Sequence, residues 1–316
     1  MIYHFFLLTI FSILLALTTN LVLKSLKKIS FITKMDNYAL ANFLIALGTS
    51  LPELSIGIQA AIANQSSLSL GNVLGSNIAN LSIVIGGATL IGGSLKVNKN
   101  VIQKNILITF LIAIAPLLFM IDRELGTIDG LILLTIFIFW EVSSFPGQNR
   151  RKRILSSLKT KVGRKKANHL AVHTAKLFLG LGGLLVSAHI LVDSAHFLAS
   201  HFSIPPIIVG IFLVGLGSSL PELVIQSKAI KNQESEVALG DLFGSVIFNS
   251  SLIVGVTAIL QPFNLTEPRL YFLSAIFFLV AFGLFYLFIR TKNILERWEG
   301  AILLMLYLIL VAIGLV

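Results

Sequence analysis

Apolar and polar positions are segregated along this chain in blocks the length of membrane spans. Residues 5–23, 105–121, 125–140, 177–192, 270–289 and 300–316 contain no Lys, Arg, Asp or Glu apart from Asp129. Most approach the ~20 residues that a helix needs to cross a bilayer core. Four further stretches, at 37–63, 68–95, 202–227 and 237–261, are long and apolar but interrupted by Gly, Pro and polar residues. The pattern predicts an all-α integral membrane protein with about ten transmembrane helices. Residues 1–23 read as the first span. No basic segment precedes the apolar run and no A-x-A-like site closes it, so a secretory signal does not fit.

The interrupted stretches contain the same pattern twice. Glu53 and Glu222 stand 169 residues apart, and that offset aligns Gly48 with Gly217, Ser50 with Ser219, Pro52 with Pro221 and Gly71 with Gly240. It also aligns Gly75 and Ser76 with Gly244 and Ser245, Asn80 with Asn249, and Gly86 with Gly255. Shared hydrophobicity does not produce matches at glycine, proline, hydroxyl and carboxylate, so this is an internal repeat. The predicted organisation is an N-terminal five-helix repeat (1–145), a basic loop (146–170) and a C-terminal five-helix repeat (171–316). Five is odd, so the second repeat enters the membrane from the opposite side. Inverted-topology repeats with broken helices are an architecture of secondary transporters, with the site at the repeat interface.

A carboxylate inside an apolar span is costly and points to function. Thr49, Ser50 and Glu53 share one helical face, and Asn72, Ser76 and Asn80 form a second polar row at i, i+4, i+8. The other repeat offers Ser218, Ser219 and Glu222, then Asp241, Ser245 and Asn249. Pro52 and Pro221 cannot donate to the preceding turn, so carbonyls near 46–49 and 215–218 are expected to lose their partners. All these donors are hard oxygens, without His or Cys, which suits Ca²⁺, Na⁺, Mg²⁺ or Mn²⁺ and disfavours zinc and copper. Two glutamates at one site repel each other unless a cation or a proton lies between them. Asp241 reads as an extra acid near the inner mouth, able to attract cations or simply hydrated.

Composition agrees with the bilayer as solvent. The chain of 316 residues is 56% hydrophobic and 12% charged, with mean hydropathy +0.92. It has no cysteine, which excludes disulfides and thiolate chemistry. The net charge of +10 sits in loops, the distribution of positive-inside sorting and not of nucleic-acid binding. The densest cluster, from Arg150 to Lys166, places loop 146–170 in the cytoplasm and both termini outside. Trp140, Trp298 and Tyr271 read as interfacial anchors. His189, Asp193 and His196 read as a water-exposed face of the sixth helix.

"GTSLPEL" followed by "GNVLGSNIAN", and "GSSLPEL" followed by "GDLFGSVIFN", resemble the two alpha-repeats (42–86 and 211–255) of the cation/Ca²⁺ antiporter superfamily. The similarity is greatest to its prokaryotic sodium/calcium exchangers. The resemblance implies a ten-helix exchanger whose second and third helices in each half enclose the ions. It implies Ca²⁺ ligation by Glu53, Glu222, Thr49 and Ser218. It implies flanking Na⁺ sites from Ala46, Thr49, Ser50, Glu53 and Ser76, and from Gly215, Ser218, Ser219, Glu222 and Ser245. Asn80 and Asn249 complete the middle, and the first and sixth helices slide across this core. Asn249 replaces an aspartate of many members, including potassium-dependent ones. With only Glu53 and Glu222 charged, exchange is expected to need no K⁺.

The expected function is thus exchange of Ca²⁺ for Na⁺ by alternating access, with the ions as substrates and no cofactor, nucleic acid or protein partner. Ca²⁺/H⁺ exchange is the alternative. An intramembrane enzyme with paired carboxylates fits poorly, because acid and base roles need two different environments and the repeat is nearly symmetric.

Overall fold

The computed structural model describes residues 2–32, 48–97, 99–144 and 164–314. In the first half, α1 (Ile2–Ile32) and α2 (Leu51–Ile62) precede α3 (Ser66–Ala79). A π-helical turn, Asn80–Val84, joins α3 to α4 (Ile85–Gly92). There follow β1 (Leu95–Lys96), α5 (Lys99–Phe119), β2 (Glu124–Leu125) and α6 (Thr127–Ser144). The second half begins with α7 (Arg164–Phe202). Next come α8 (Pro206–Val209), a π-helical turn (Gly210–Val214), α9 (Gly215–Ser218) and α10 (Leu220–Lys231). Then α11 (Ser235–Ile247) runs through a third π-helical segment (Phe248–Ile253) into α12 (Val254–Leu260). The chain ends with β3 (Phe263–Asn264), α13 (Pro268–Lys292), β4 (Ile294–Leu295) and α14 (Arg297–Gly314).

Seven described helical segments are long and apolar enough to cross a membrane, or eight if the bent pair Pro206–Ser218 and Leu220–Lys231 is one span. The two other expected spans fall on α6 and on α2; residues 33–47, which precede α2, lie outside the described set. So do Ala46, loop residues 145–163 and the C-terminal residues 315 and 316.

Local devices recur at the repeat offset. Pro52 and Pro221 each occupy the first turn of their helix, where a missing N–H costs nothing. Asn64 (φ 57°) and Gln233 (φ 61°) take left-handed turns 169 residues apart, each just beyond α2 or α10. The Ser82 hydroxyl donates to the Ile78 carbonyl, and Ser251 donates to Ile247 at 2.5 Å. These hydroxyls re-cover carbonyls where the backbone ladder switches to π geometry. The strands cross over between the halves: β1 pairs antiparallel with β4, and β2 with β3.

Two spans form the centre. Residues 66–92 and 235–260 are 83% buried in their apolar windows, against 28–39% for the others. Glycines let the central helices touch backbone to backbone. A Cβ on Gly71 would lie 2.4 Å from the Ile207 carbonyl oxygen, and one on Gly75 the same distance from that of Ile211. Further out, Gly86 of α4 abuts Gly300 of α14, and Gly255 of α12 abuts Gly130 of α6. The large core runs through α3–α5 and α10–α14. A separate core joins α1 and α7 to a few residues of the centre, among them Ile56, Leu68, Val209 and Val214.

Candidate functional site

The two broken helices bring Glu53 and Glu222 into the protein interior at 1% and 0% exposure. α2 starts after Ser50, and the Leu54 N–H returns to the Ser50 carbonyl at 3.0 Å. In the second half the axis bends by 41° at Ser219. Thr49, Ser50, Ser76, Asn80, Ser218, Ser219, Ser245 and Asn249 are all buried around these carboxylates' helices. Ala46 cannot be placed, because it lies outside the described residues.

Hydroxyls tie the halves together. The Ser76 hydroxyl donates to the Gly215 carbonyl at 3.2 Å and lies 3.2 Å from the Ser218 hydroxyl. Ser218 also lies 3.1 Å from the Gly215 carbonyl oxygen and 3.5 Å from Asn72 Oδ1; its one proton can serve only one of them at a time. Ser219 donates to the Gly215 carbonyl at 2.9 Å. Across the repeat, Thr49 Oγ1 and Ser245 Oγ are 3.4 Å apart. The Gly215 carbonyl, expected to be left orphaned by Pro221, is therefore covered by hydroxyls, as a low-dielectric interior demands.

The carboxylates are left uncovered. None of the four oxygens of Glu53 and Glu222 has a hydrogen-bond partner, nor do Ser50 Oγ, both amide atoms of Asn80, or Asn249 Oδ1. Among the described residues the ion pairs are His189–Asp193 and Lys292–Glu296, and both lie far from this interior on exposed helix faces. Two buried acids without a protein cation require an ion or protons to balance them. Among the described residues no three His, Cys, Asp or Glu side chains gather as a metal site. A cation here must lean on hydroxyls, amides and carbonyls, the donors of hard alkali and alkaline-earth ions.

The sequence missed two contacts. Asn77 donates to the Ser250 hydroxyl at 2.8 Å and accepts from the Asn249 amide at 3.0 Å, so Asn249 is oriented from the opposite half. Gln226 donates to Asp241 at 2.9 Å, and both are buried. Gln226 stands four residues after Glu222 on the same helical face, a signal the sequence did carry. Nothing comparable pointed to Ser250. Tyr271 is not an interfacial anchor: α13 turns it inward, to 1% exposure, where it lines a small cavity with Asn77 and Ser250. Trp298 is 55% exposed, as an anchor should be, and His189 and Asp193 are exposed as expected.

Relatives share this architecture. The family model described as sodium/calcium exchanger protein matches residues 3–145 and 172–316, two spans that begin 169 residues apart. The sodium/calcium exchanger MaX1 of Methanosarcina acetivorans is 27% identical over 307 residues, covering 86% of this chain and 87% of that protein. The membrane protein MJ0091 of Methanocaldococcus jannaschii is 31% identical over 284 residues, covering 88% and 87%. A solved structure of the sodium-calcium exchanger NCX_Mj, soaked with 2.5 mM Na⁺ and 10 mM Sr²⁺, superposes with TM-score 0.66 at 27% identity over 98% of each chain. A family model spanning nearly the whole chain, full-length relatives and a buried pair of cation-seeking carboxylates agree: the chain belongs to the sodium/calcium exchanger family, multi-pass membrane antiporters of cations and not enzymes.

Proposed function

We propose that this protein exchanges Ca²⁺ for Na⁺ across the cell membrane by alternating access. The observation that carries the reading is the pair Glu53 and Glu222, buried side chains with all four oxygens unpartnered at the breaks of two repeated helices. Ca²⁺ is held between these carboxylates with oxygens of Thr49 and Ser218. Na⁺ competes for the same charges from flanking sites: Ala46, Ser50 and Ser76 on one side, Gly215, Ser219 and Ser245 on the other. Asn80 and Asn249 fill the middle. Competition for shared carboxylates couples the two fluxes, because one ion must leave before the other is held. The relatives bearing the exchanger name, and the Na⁺ and Sr²⁺ soaks of NCX_Mj, support Na⁺ as counter-ion.

The frame of this reading is ten spans in two inverted halves, 1–145 and 171–316, joined by the basic loop 146–170. The moving part is α1 with α7. Their separate core gives them a packing unit that can slide against the centre, whereas the β1–β4 and β2–β3 clasps tie the remaining hairpins to each other.

Purified protein in liposomes should take up ⁴⁵Ca²⁺ when an outward Na⁺ gradient is imposed. A pH gradient of equal driving force should give little uptake. Uptake driven by protons and indifferent to Na⁺ would replace this reading with Ca²⁺/H⁺ exchange.

Loop charge further orients the protein with both termini and loop 64–67 outside and loop 146–170 in the cytoplasm. The chain has no native cysteine, so a single Leu158→Cys should resist membrane-impermeant thiol reagents in intact cells and react after lysis. Labelling from outside would reverse the topology.

A further inference from the structure

Asp241 breaks the symmetry of the repeat. Its aligned partner is Asn72, and the aligned partner of Gln226 is Gly57. One half therefore carries an acid–amide pair where the other has an amide and a glycine. Asp241 is neither at a mouth nor hydrated: it is 2% exposed, with Gln226 at 0%. The Gln226 amide N–H holds Asp241 Oδ2 at 2.9 Å, while Asp241 Oδ1 and Gln226 Oε1 are buried without partners. Thr49 lies beside Asp241, and both Glu53 and Glu222 feel its charge.

The charge count follows. Glu53 and Glu222 balance one Ca²⁺. A third buried carboxylate leaves one negative charge uncompensated, since no described Lys, Arg or His pairs with it. The three acids do not converge into one metal cluster, so an ion held between the glutamates leaves Asp241 to a neighbour. Two unpartnered oxygens and one charge suit a hard monovalent ion, not a second divalent one.

We propose that Asp241 and Gln226 form a subsite for a monovalent metal cation that is occupied together with Ca²⁺. This rests on the exchanger reading above and adds a third acid to its site. The two ions are coupled: filling the subsite removes the surplus charge that a lone Ca²⁺ leaves nearby, and each ion favours the other. Asp241 also removes the charge-counting reason for expecting independence of K⁺.

The test is ⁴⁵Ca²⁺ binding to purified protein in choline buffer, with Na⁺, K⁺ or Li⁺ titrated from zero. For wild type, at least one of these ions should raise Ca²⁺ affinity at low concentration, by about tenfold for ordinary coupled sites. Na⁺ should lower it again at high concentration by competition. Asp241→Asn, which installs the amide of the other repeat, should lose the rise and keep the competition. A wild-type affinity that none of the three ions raises would overturn the subsite, whether or not the variant folds. A rise that persists in folded Asp241→Asn would also overturn it. Wild-type protein that binds no Ca²⁺ at all would instead overturn the exchanger reading, and this subsite with it.

Discussion

Glu53→Gln and Glu222→Gln should each abolish Na⁺-driven Ca²⁺ uptake while the protein stays folded. Each substitution keeps the shape of the side chain and removes one of the two charges that face each other in the interior. Deleting one partner of a buried charge interaction costs about 3–5 kcal/mol, which is at least ~100-fold in affinity. The free protein should not suffer. Its glutamate oxygens are buried and unpartnered, and a neutral amide is cheaper to bury than a carboxylate. Thermal unfolding without ions should therefore leave the variants at or above wild type. Adding Ca²⁺ at ~100 times its Kd should stabilise wild type by about 2.7 kcal/mol and the variants hardly at all. Near-normal uptake at low Ca²⁺ by either variant would remove that glutamate from the site.

Gly75→Val should prevent assembly of the centre. α3 crosses the π-helical turn before α9 so closely that a Cβ would lie 2.4 Å from the Ile211 carbonyl oxygen and 2.5 Å from its Cα. Those neighbours are backbone, not side-chain ends, and cannot swing aside. One excess methylene in a packed interior costs about 1–3 kcal/mol, and a branched side chain driven against backbone should exceed the top of that range. Separation would also pull Ser76 off the Gly215 carbonyl. Size-exclusion profiles should show aggregation or loss of yield. Gly283→Ala is the control: nothing lies within 4 Å of its Cβ, and it should be neutral or stabilising by up to about 1 kcal/mol. A monodisperse, active Gly75→Val would mean that the helices do not pack this closely.

What the sequence revealed is what stands out against an apolar background. A glutamate beside a proline in a membrane span, repeated 169 residues later, announces both the repeat and its chemistry. The polar rows through Asn72, Ser76 and Asn80 follow from helical geometry alone. What stayed hidden depends on contacts between distant segments. The Gly215 carbonyl is capped from the other half by Ser76, 139 positions away in sequence, and Asn249 is oriented by Asn77, 172 positions away. Tyr271 sits at a helix end in sequence, where an anchor is the natural reading, but the direction it faces is set by how α13 packs. Asp241 was visible as a departure from its repeat partner. Its burial was not, because burial is a property of the assembled helices.

The π-helical segments have a bearing on phase. Each wide turn holds one residue more than the α-helix around it, and a residue in an α-helix accounts for about 100° of rotation. Upstream of Asn80–Val84, the helix aims Asn72 and Ser76 at the opposite half. Downstream, it aims Gly86 at Gly300. A strictly α-helical path would swing one of these faces about 100° out of alignment with the other. The surplus residue works as a phase shifter, letting one continuous helix serve a polar clientele at one end and a glycine-to-glycine contact at the other. Its counterpart at Phe248–Ile253 does the same between Ser245 and Gly255. Deleting Leu81 would leave composition and hydropathy almost untouched and still turn one of the two surfaces away from its partner.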